Sequence, residues 1–190
     1  MFVDASEVAY SCAIYLRTLD TEAKPQCCLI AAKSKVAPLK PWSIPRLELQ
    51  GCVLGVRWSK FVRENHGVPV SKMVFWTDSR TALAWIMADP RNYRQFVSFR
   101  VAEILENTTA SDWRWVPSKS NPADEATKWG SGPYFDRNSK RFQGPEFLRL
   151  PETEWPCPKE PETATSEEIR ASILHHCLIE LVIDFARFSS

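Results

Sequence analysis

Four acidic residues stand where a carboxylate can do chemistry. Asp4 closes the apolar start Phe2-Val3. Glu48 lies between two leucines in Ile44-Pro45-Arg46-Leu47-Glu48-Leu49. Asp78 follows the apolar run Met73-Val74-Phe75-Trp76, and Asp124 falls in Asn121-Pro122-Ala123-Asp124. Carboxylates gathered without matching cations repel, and such a group is stable only when a proton or a metal ion neutralises it. Oxygen-only donors suit Mg²⁺, which keeps several waters. Two such ions about 3.5–4 Å apart activate a water and stabilise the leaving oxygen of a phosphodiester. Each acid also has a plainer reading. Asp78 can be a helix N-cap, Asp124 a charge favouring a helix dipole, Glu48 a solvated helix residue and Asp4 a turn residue. Four residues of the right type, on the right elements and in the right order, favour the joint reading.

The elements that must position them follow from periodicity. Phe2-Val3-Asp4 reads as the end of a strand that begins in mid-element. Residues 9–16 and 26–32 read as strands joined by a polar, turn-rich linker, hence a hairpin. Residues 33–43 read as a basic loop with two prolines. From Pro45 to about Asn65 the pattern turns helical. Leu47, Leu54 and Phe61 recur every seven residues, Pro45 suits the first turn and Gly67 the stop. A strand over 72–77, a helix over 80–88 and a longer helix over 93–106 follow. A short strand at Trp113–Val116 comes next, and then a short helix capped by Asn121. The order predicts an α/β chain with a hairpin first and crossovers after. A first strand and a strand reached by crossover can lie side by side and parallel, opening their carboxyl ends on one crevice. Asp4 and Asp78 would meet there.

Residues 1–130 carry 17 Lys and Arg against 13 Asp and Glu, whereas residues 131–190 carry 7 against 10. A moderately basic first part is compatible with a phosphate-bearing partner. The sequence divides into a domain over 1–130, a Pro- and Glu-rich connector over 131–166 and an amphipathic helix over 167–190. No apolar run reaches the roughly 18 residues of a membrane span, and no signal peptide is apparent at the start. The six cysteines include no CxxC pair and predict a reducing compartment without a disulfide framework.

Several separated motifs resemble a known family. They are Phe2-Val3-Asp4-Ala5-Ser6, Ser34-Lys35-Val36-Ala37-Pro38-Leu39, Ile44-Pro45-Arg46-Leu47-Glu48-Leu49, Trp76-Thr77-Asp78-Ser79, Phe99-Arg100-Val101-Ala102-Glu103-Ile104 and the run from Trp115 to Asp124. Over about residues 1–130 the chain is similar to the ribonuclease H region of BEL/Pao-type LTR retrotransposon polyproteins. Gly144-Pro145-Glu146-Phe147-Leu148 and Trp155-Pro156 resemble the connector that precedes integrase there. The resemblance implies a ribonuclease H-like fold: a mixed five-stranded sheet, antiparallel hairpin then parallel strands, flanked by helices and followed by a C-terminal extension. It implies an Asp-Glu-Asp-Asp site of Asp4, Glu48, Asp78 and Asp124 holding two Mg²⁺ ions, with Mn²⁺ as a substitute. The implied activity is endonucleolytic hydrolysis of the RNA strand of an RNA–DNA hybrid. Asp4 and Asp78 would share the metals, Glu48 would serve the leaving-group side and Asp124 the water side. The implied partners are the reverse transcriptase and integrase parts of the same polyprotein, with no membrane. The implied location is the cytoplasm, within a virus-like particle, with passage into the nucleus. On this reading the chain is a fragment whose central first strand is cut short.

Lys33, Lys35, Lys40 and Arg46 flank Glu48 and can contact phosphates or belong to a solvated loop. Ser79 and Arg80 adjoin Asp78 and can touch the scissile strand. Trp42 and Tyr93 can stack on bases or simply pack. His175-His176-Cys177 with Cys157 lacks the second cysteine pair that a zinc site needs. Two rival readings remain: a catalytically silent or domesticated module that holds nucleic acid without cutting, and a structural connector between polymerase and integrase.

Overall fold

Phe2–Ala5 (β1) is the middle strand of a five-stranded sheet. The computed structural model describes residues 1–22, 24–128, 140–157 and 168–170. Ala9–Leu19 (β2) and Pro25–Val36 (β3) form the expected antiparallel hairpin, and β2 pairs antiparallel with β1. Helix α1 (Ile44–Asn65) then crosses over to Phe75–Thr77 (β4), which lies parallel to β1. Helices α2 (Arg80–Met87) and α3 (Gln95–Asn107) lead to Trp113–Trp115 (β5), parallel to β4. The sheet order is β3-β2-β1-β4-β5. The α/β architecture with hairpin first and crossovers after is therefore as expected.

The apolar stripe of α1 explains its seat. Leu49, Cys52, Val53 and Val56 are buried against Val3, and α3 adds Val97, Val101 and Ile104 to the same core. Each such side chain contributes about 1.5–3 kcal/mol on leaving water. Gly51 and Gly55 let α1 approach β1. A Cβ on Gly51 would stand 3.1 Å from the Asp4 carbonyl oxygen, and one on Gly55 would stand 2.6 Å from Val3 Cγ1. The helix ends at Asn65 with His66 as C-cap, and Gly67 follows with a φ of 72°, in the left-handed region that glycine tolerates.

The opposite face of the sheet has its own cluster of Phe2, Trp76, Val116, Ala123, Leu148 and Trp155. Phe2 and Trp76 stack at 6.0 Å with an interplanar angle of 11°. Helix α4 (Lys140–Gln143) and two short 3₁₀ turns at Glu146–Arg149 and Glu152–Glu154 carry the chain across this face. Leu148 and Trp155, read from sequence as connector, thus belong to the core of the sheet.

Several boundaries differ from the sequence expectation. The hairpin strands run longer, with Lys33–Val36 part of β3 rather than loop. β4 is shorter than 72–77, because regular parallel pairing with β1 starts only at Phe2↔Trp76. Phe61 is exposed instead of continuing the buried stripe, and stacks on Trp58 at 5.0 Å. Phe99 is likewise exposed on α3. The short helix after Asn121 is a 3₁₀ segment, Pro122–Ala126. The amphipathic helix read over 167–190 lies outside the described residues, apart from 168–170.

Candidate functional site

Register brings the first two acids together. Phe2 pairs with Trp76 and Val3 with Thr77 on adjacent parallel strands. One residue further on, Asp4 and Asp78 face one another across the carboxyl ends of β1 and β4. Parallel neighbours lie about 4.7–4.9 Å apart, and side chains two residues apart share a face. Asp4 and Asp78 therefore continue the face of the Phe2–Trp76 stack, beyond the point where apolar packing ends.

The turn Pro122–Ala126 brings the third acid. Ser11 Oγ donates to the Ala123 carbonyl at 2.8 Å, and Ser6 Oγ to the Thr127 carbonyl at 2.9 Å. Asn121 caps the turn by accepting from the Ala123 amide, as expected. Its Nδ2 also donates to the Val3 carbonyl at 2.9 Å and to Asp78 Oδ1 at 3.3 Å. Asn121 thus ties the turn to both strands. Asn121→Ala is expected to cost about 1–3 kcal/mol, by loss of the cap and of a buried partner for the Val3 carbonyl. A urea midpoint compared with wild type checks this.

Glu48 arrives from α1, on the other side of the sheet. Its Oε2 accepts from Ser79 Oγ at 2.6 Å. Ser79, not Asp78, is the N-cap of α2, since its hydroxyl oxygen accepts from the Ala82 amide at 3.0 Å. The plain capping role is thereby filled, which leaves the Asp78 carboxylate for other work. The Asp78 backbone carbonyl accepts from Trp115 Nε1 at 3.1 Å.

Electrostatics mark Asp4 as the strained member. Burial pushes its carboxyl up to about 7. The Thr127 hydroxyl, which donates to it, opposes this, and the charges of Asp78 and Asp124 add to it. Lys128 relieves the group from outside, with Nζ 2.6 Å from Asp124 Oδ1. Burial also raises the Cys52 thiol, and the charges of Glu48 and Asp78 act in the same direction. Asp4 thus feels Asp78 and Asp124, while Glu48 and Asp78 both act on Cys52. Among the described residues, no group of three or more His, Cys, Asp or Glu is arranged to hold a metal ion. Hydroxyls and an ammonium take the carboxylate oxygens instead: Thr127 on Asp4, Ser79 on Glu48 and Lys128 on Asp124. The donor chemistry nonetheless fits a hard divalent cation, being all oxygen with Asp4 desolvated beside two further carboxylates.

The residues read as nucleic-acid contacts scatter. Lys35 is exposed on β3. Arg46 lies over the Phe96 ring and pairs with Glu168 at 2.6 Å. Arg80 lies over the Trp115 ring, 5.6 Å from its centroid. Ser79 is buried and held by Glu48. Sequence reasoning did not find Thr127 and Lys128 as site residues. Their positions three and four residues after Asp124, on a predicted helical turn, were the available signal.

Carboxylates at the adjoining carboxyl ends of two parallel central strands, in a mixed sheet that opens with an antiparallel hairpin, define a ribonuclease H-like fold. Residues 1–79 match the family model described as the Pao retrotransposon-like RNaseH-like domain. Over those residues the chain is similar to a Pao-type ribonuclease H-like domain. The match covers Asp4, Glu48 and Asp78, while Asp124 lies beyond it. Neither the curated proteins nor the solved structures include a match to the chain. No described helix is long and apolar enough to cross a membrane.

Proposed function

We propose that this domain hydrolyses the RNA strand of RNA–DNA hybrids endonucleolytically, using divalent metal, as part of a retrotransposon polyprotein. The observation that carries this reading is the in-register approach of Asp4 and Asp78, joined by Asp124. Asp4, Glu48, Asp78 and Asp124 would hold Mg²⁺ or Mn²⁺, which would supply Lewis-acid polarisation of the phosphodiester and a water acidified toward neutrality. Asp4 must lose its proton to act as a ligand, which the high set of its carboxyl makes easiest above pH 7. Ser79 holds Glu48 ready, and Asn121 holds Asp78. Lys128 keeps Asp124 neutralised until cations displace it. On this reading the domain works beside the reverse transcriptase and integrase parts of its polyprotein, in cytoplasmic virus-like particles.

Cleavage of a labelled hybrid with Mg²⁺ or Mn²⁺ tests the proposal. The expected result is cutting of the RNA strand alone, reduced at least about a hundredfold by Asp78→Asn, in keeping with loss of one charged stabiliser. A second reading, a module that binds without cutting, is favoured by the absence of a preformed metal cage among the described residues. Salt-sensitive hybrid binding without cleavage by folded protein would select it.

A further inference from the structure

Residues 168–170 form a strap along the turn that precedes α3. Ile169 makes an isolated antiparallel bridge with Tyr93 and packs against the α1 core. The Arg94 amide donates to the Glu168 carbonyl at 2.7 Å, and the Arg170 amide to the Asn92 carbonyl at 2.9 Å. This strap sets the Glu168 carboxylate on Arg46, with Nε 2.6 Å from Oε1. Glu168 is 7% exposed, and its Oε2 has no hydrogen-bond partner among the described residues. The two-pronged form that makes an arginine–carboxylate pair strong is therefore not reached. A buried carboxylate oxygen without a donor is also costly. The contact is a weak closure.

Arg46 belongs to a basic and aromatic patch between α1 and α3. Its guanidinium lies 4.7 Å from the centroid of the Phe96 ring, and that of Arg100 lies 3.5 Å from the same centroid. Trp42 meets Phe96 edge-on at 4.9 Å. The described hydrogen bonds of Arg100 go to neutral groups, Gln50 Oε1 at 2.7 Å and the Phe96 carbonyl at 3.1 Å. Burial lowers Arg100 first of all; Glu103 opposes this, and the charges of Arg46 and Arg57 add to it. Lys40 and Arg94, each two residues before one of the two aromatics, are exposed. Arg46 stands two residues before Glu48 on the first turn of α1.

We propose that this patch binds the phosphate backbone of a nucleic acid, and that the Glu168 strap is an intramolecular stand-in for phosphate which the nucleic acid displaces. The carboxylate shows that an anion fits the Arg46 fork, and its single bond leaves that fork free to prefer an anion that meets it with two oxygens. Guanidinium groups interleaved with aromatic rings suit a backbone that carries both phosphates and stackable bases. Glu160, Glu162 and Glu167 precede Glu168 in the sequence, so the competitor is acid-rich, as a rival of a polyanion must be. While the strap is docked, one cation of the patch is spent internally, and affinity for nucleic acid is lower than the surface allows. Because the carboxylate is enclosed, displacing it opens the bridge between Tyr93 and Ile169. The inference rests on the reading of this domain as one that engages RNA–DNA hybrids, and it concerns binding rather than cleavage.

The experiment measures binding of a labelled RNA–DNA hybrid by fluorescence anisotropy, in EDTA so that nothing is cut, between about 50 and 200 mM salt. It compares the full chain, Glu168→Gln, and Glu168→Gln combined with Arg46→Gln. Glu168→Gln is expected to tighten binding by about three- to tenfold at the lowest salt and to steepen the salt slope by about 0.9, one further phosphate contact. The double variant is expected to lose that gain. Unchanged affinity and slope in Glu168→Gln would overturn the proposal while leaving the hybrid reading in place. A gain that persists in the double variant would do the same, since it would come from net charge and not from Arg46. No binding by any of the three would overturn both. Tighter binding by Glu168→Gln without any cleavage when Mg²⁺ is restored would uphold this proposal and sink only the hydrolysis. Amide exchange in the unsubstituted chain decides the matter even if the variants fold poorly. The Arg94 and Arg170 amides should exchange at least about tenfold faster when hybrid is saturating, and unchanged or greater protection would refute a displaceable strap.

Discussion

Asp4→Asn is expected to stabilise the protein at pH 8, by about 2–4 kcal/mol, while abolishing any metal-dependent cleavage. The carboxyl of Asp4 sits at about 7 in the folded protein against an ordinary 3.8, through burial first and the charges of Asp78 and Asp124 after it. A shift of one unit is worth about 1.4 kcal/mol. Because the folded value is raised, the folded state holds the proton more tightly. The associated stability is fully present below about pH 4 and is lost as pH rises through 7. Asparagine keeps the shape and still accepts from Thr127, but never ionises. The stability difference between variant and wild type should therefore be small at pH 4, grow between pH 4 and 7, and level off above. The Met1 ammonium is lowered in the folded state, so its own contribution runs the other way as pH rises from about 5 to 8. It is common to both proteins and cancels in the comparison. Mg²⁺ should narrow the gap at pH 8 by stabilising wild type alone, by about 2.7 kcal/mol at a hundred times its dissociation constant. Urea titrations across pH, with and without Mg²⁺, check each part. A difference that is flat with pH would remove Asp4 from the charged cluster.

Trp76→Ala is expected to lower stability by about 3–5 kcal/mol and the melting temperature by about 10 °C, as large-to-small changes in a packed core do. Trp76 is 1% exposed and joins three parts of the protein. It stacks on Phe2 of β1, meets Phe147 at 5.0 Å and Trp155 at 5.6 Å, and carries the Arg114 guanidinium 5.7 Å above its ring. It is also the residue whose register with Phe2 sets Asp78 beside Asp4. Its loss should weaken hybrid cleavage beyond what partial unfolding explains, measured on the folded fraction at low temperature. Trp76→Phe keeps most of the packing and should cost far less.

The parts of this architecture that were legible in the sequence are those written in apolar runs. Phe75-Trp76 is strand because it is buried on both faces, and the stripe of α1 is a helix because Leu47 and Leu54 return to one side. The same logic failed at Phe61, where the seven-residue count continued but the ring stays exposed, stacked only on Trp58 among the described ring pairs. It failed at Asp78 in a more instructive way. A carboxylate and a hydroxyl stood side by side before a helix, and periodicity cannot say which of them caps it. Ser79 does so and holds Glu48 with the same oxygen. The contacts of Asn121 with Val3 and Asp78, and of Thr127 with Asp4, join residues more than forty positions apart. Such contacts have no periodic signature. Leu148 and Trp155 were hidden for a related reason: short 3₁₀ turns between prolines bury isolated side chains without any repeat to announce them.

The seating of Leu148 and Trp155 on Phe2 and Trp76 bears on where this polypeptide can be divided. A boundary drawn at residue 130 follows the change in composition, yet it would strip the cover from two large aromatic side chains in the middle of the sheet. A shortened protein of that kind would present a contiguous oily surface to solvent and invite self-association. We expect the smallest self-sufficient unit to run at least to Trp155, which packs with Phe2 and Trp76. The Pro- and Glu-rich stretch is thus, in part, the back wall of the nuclease-like domain rather than a tether leading away from it.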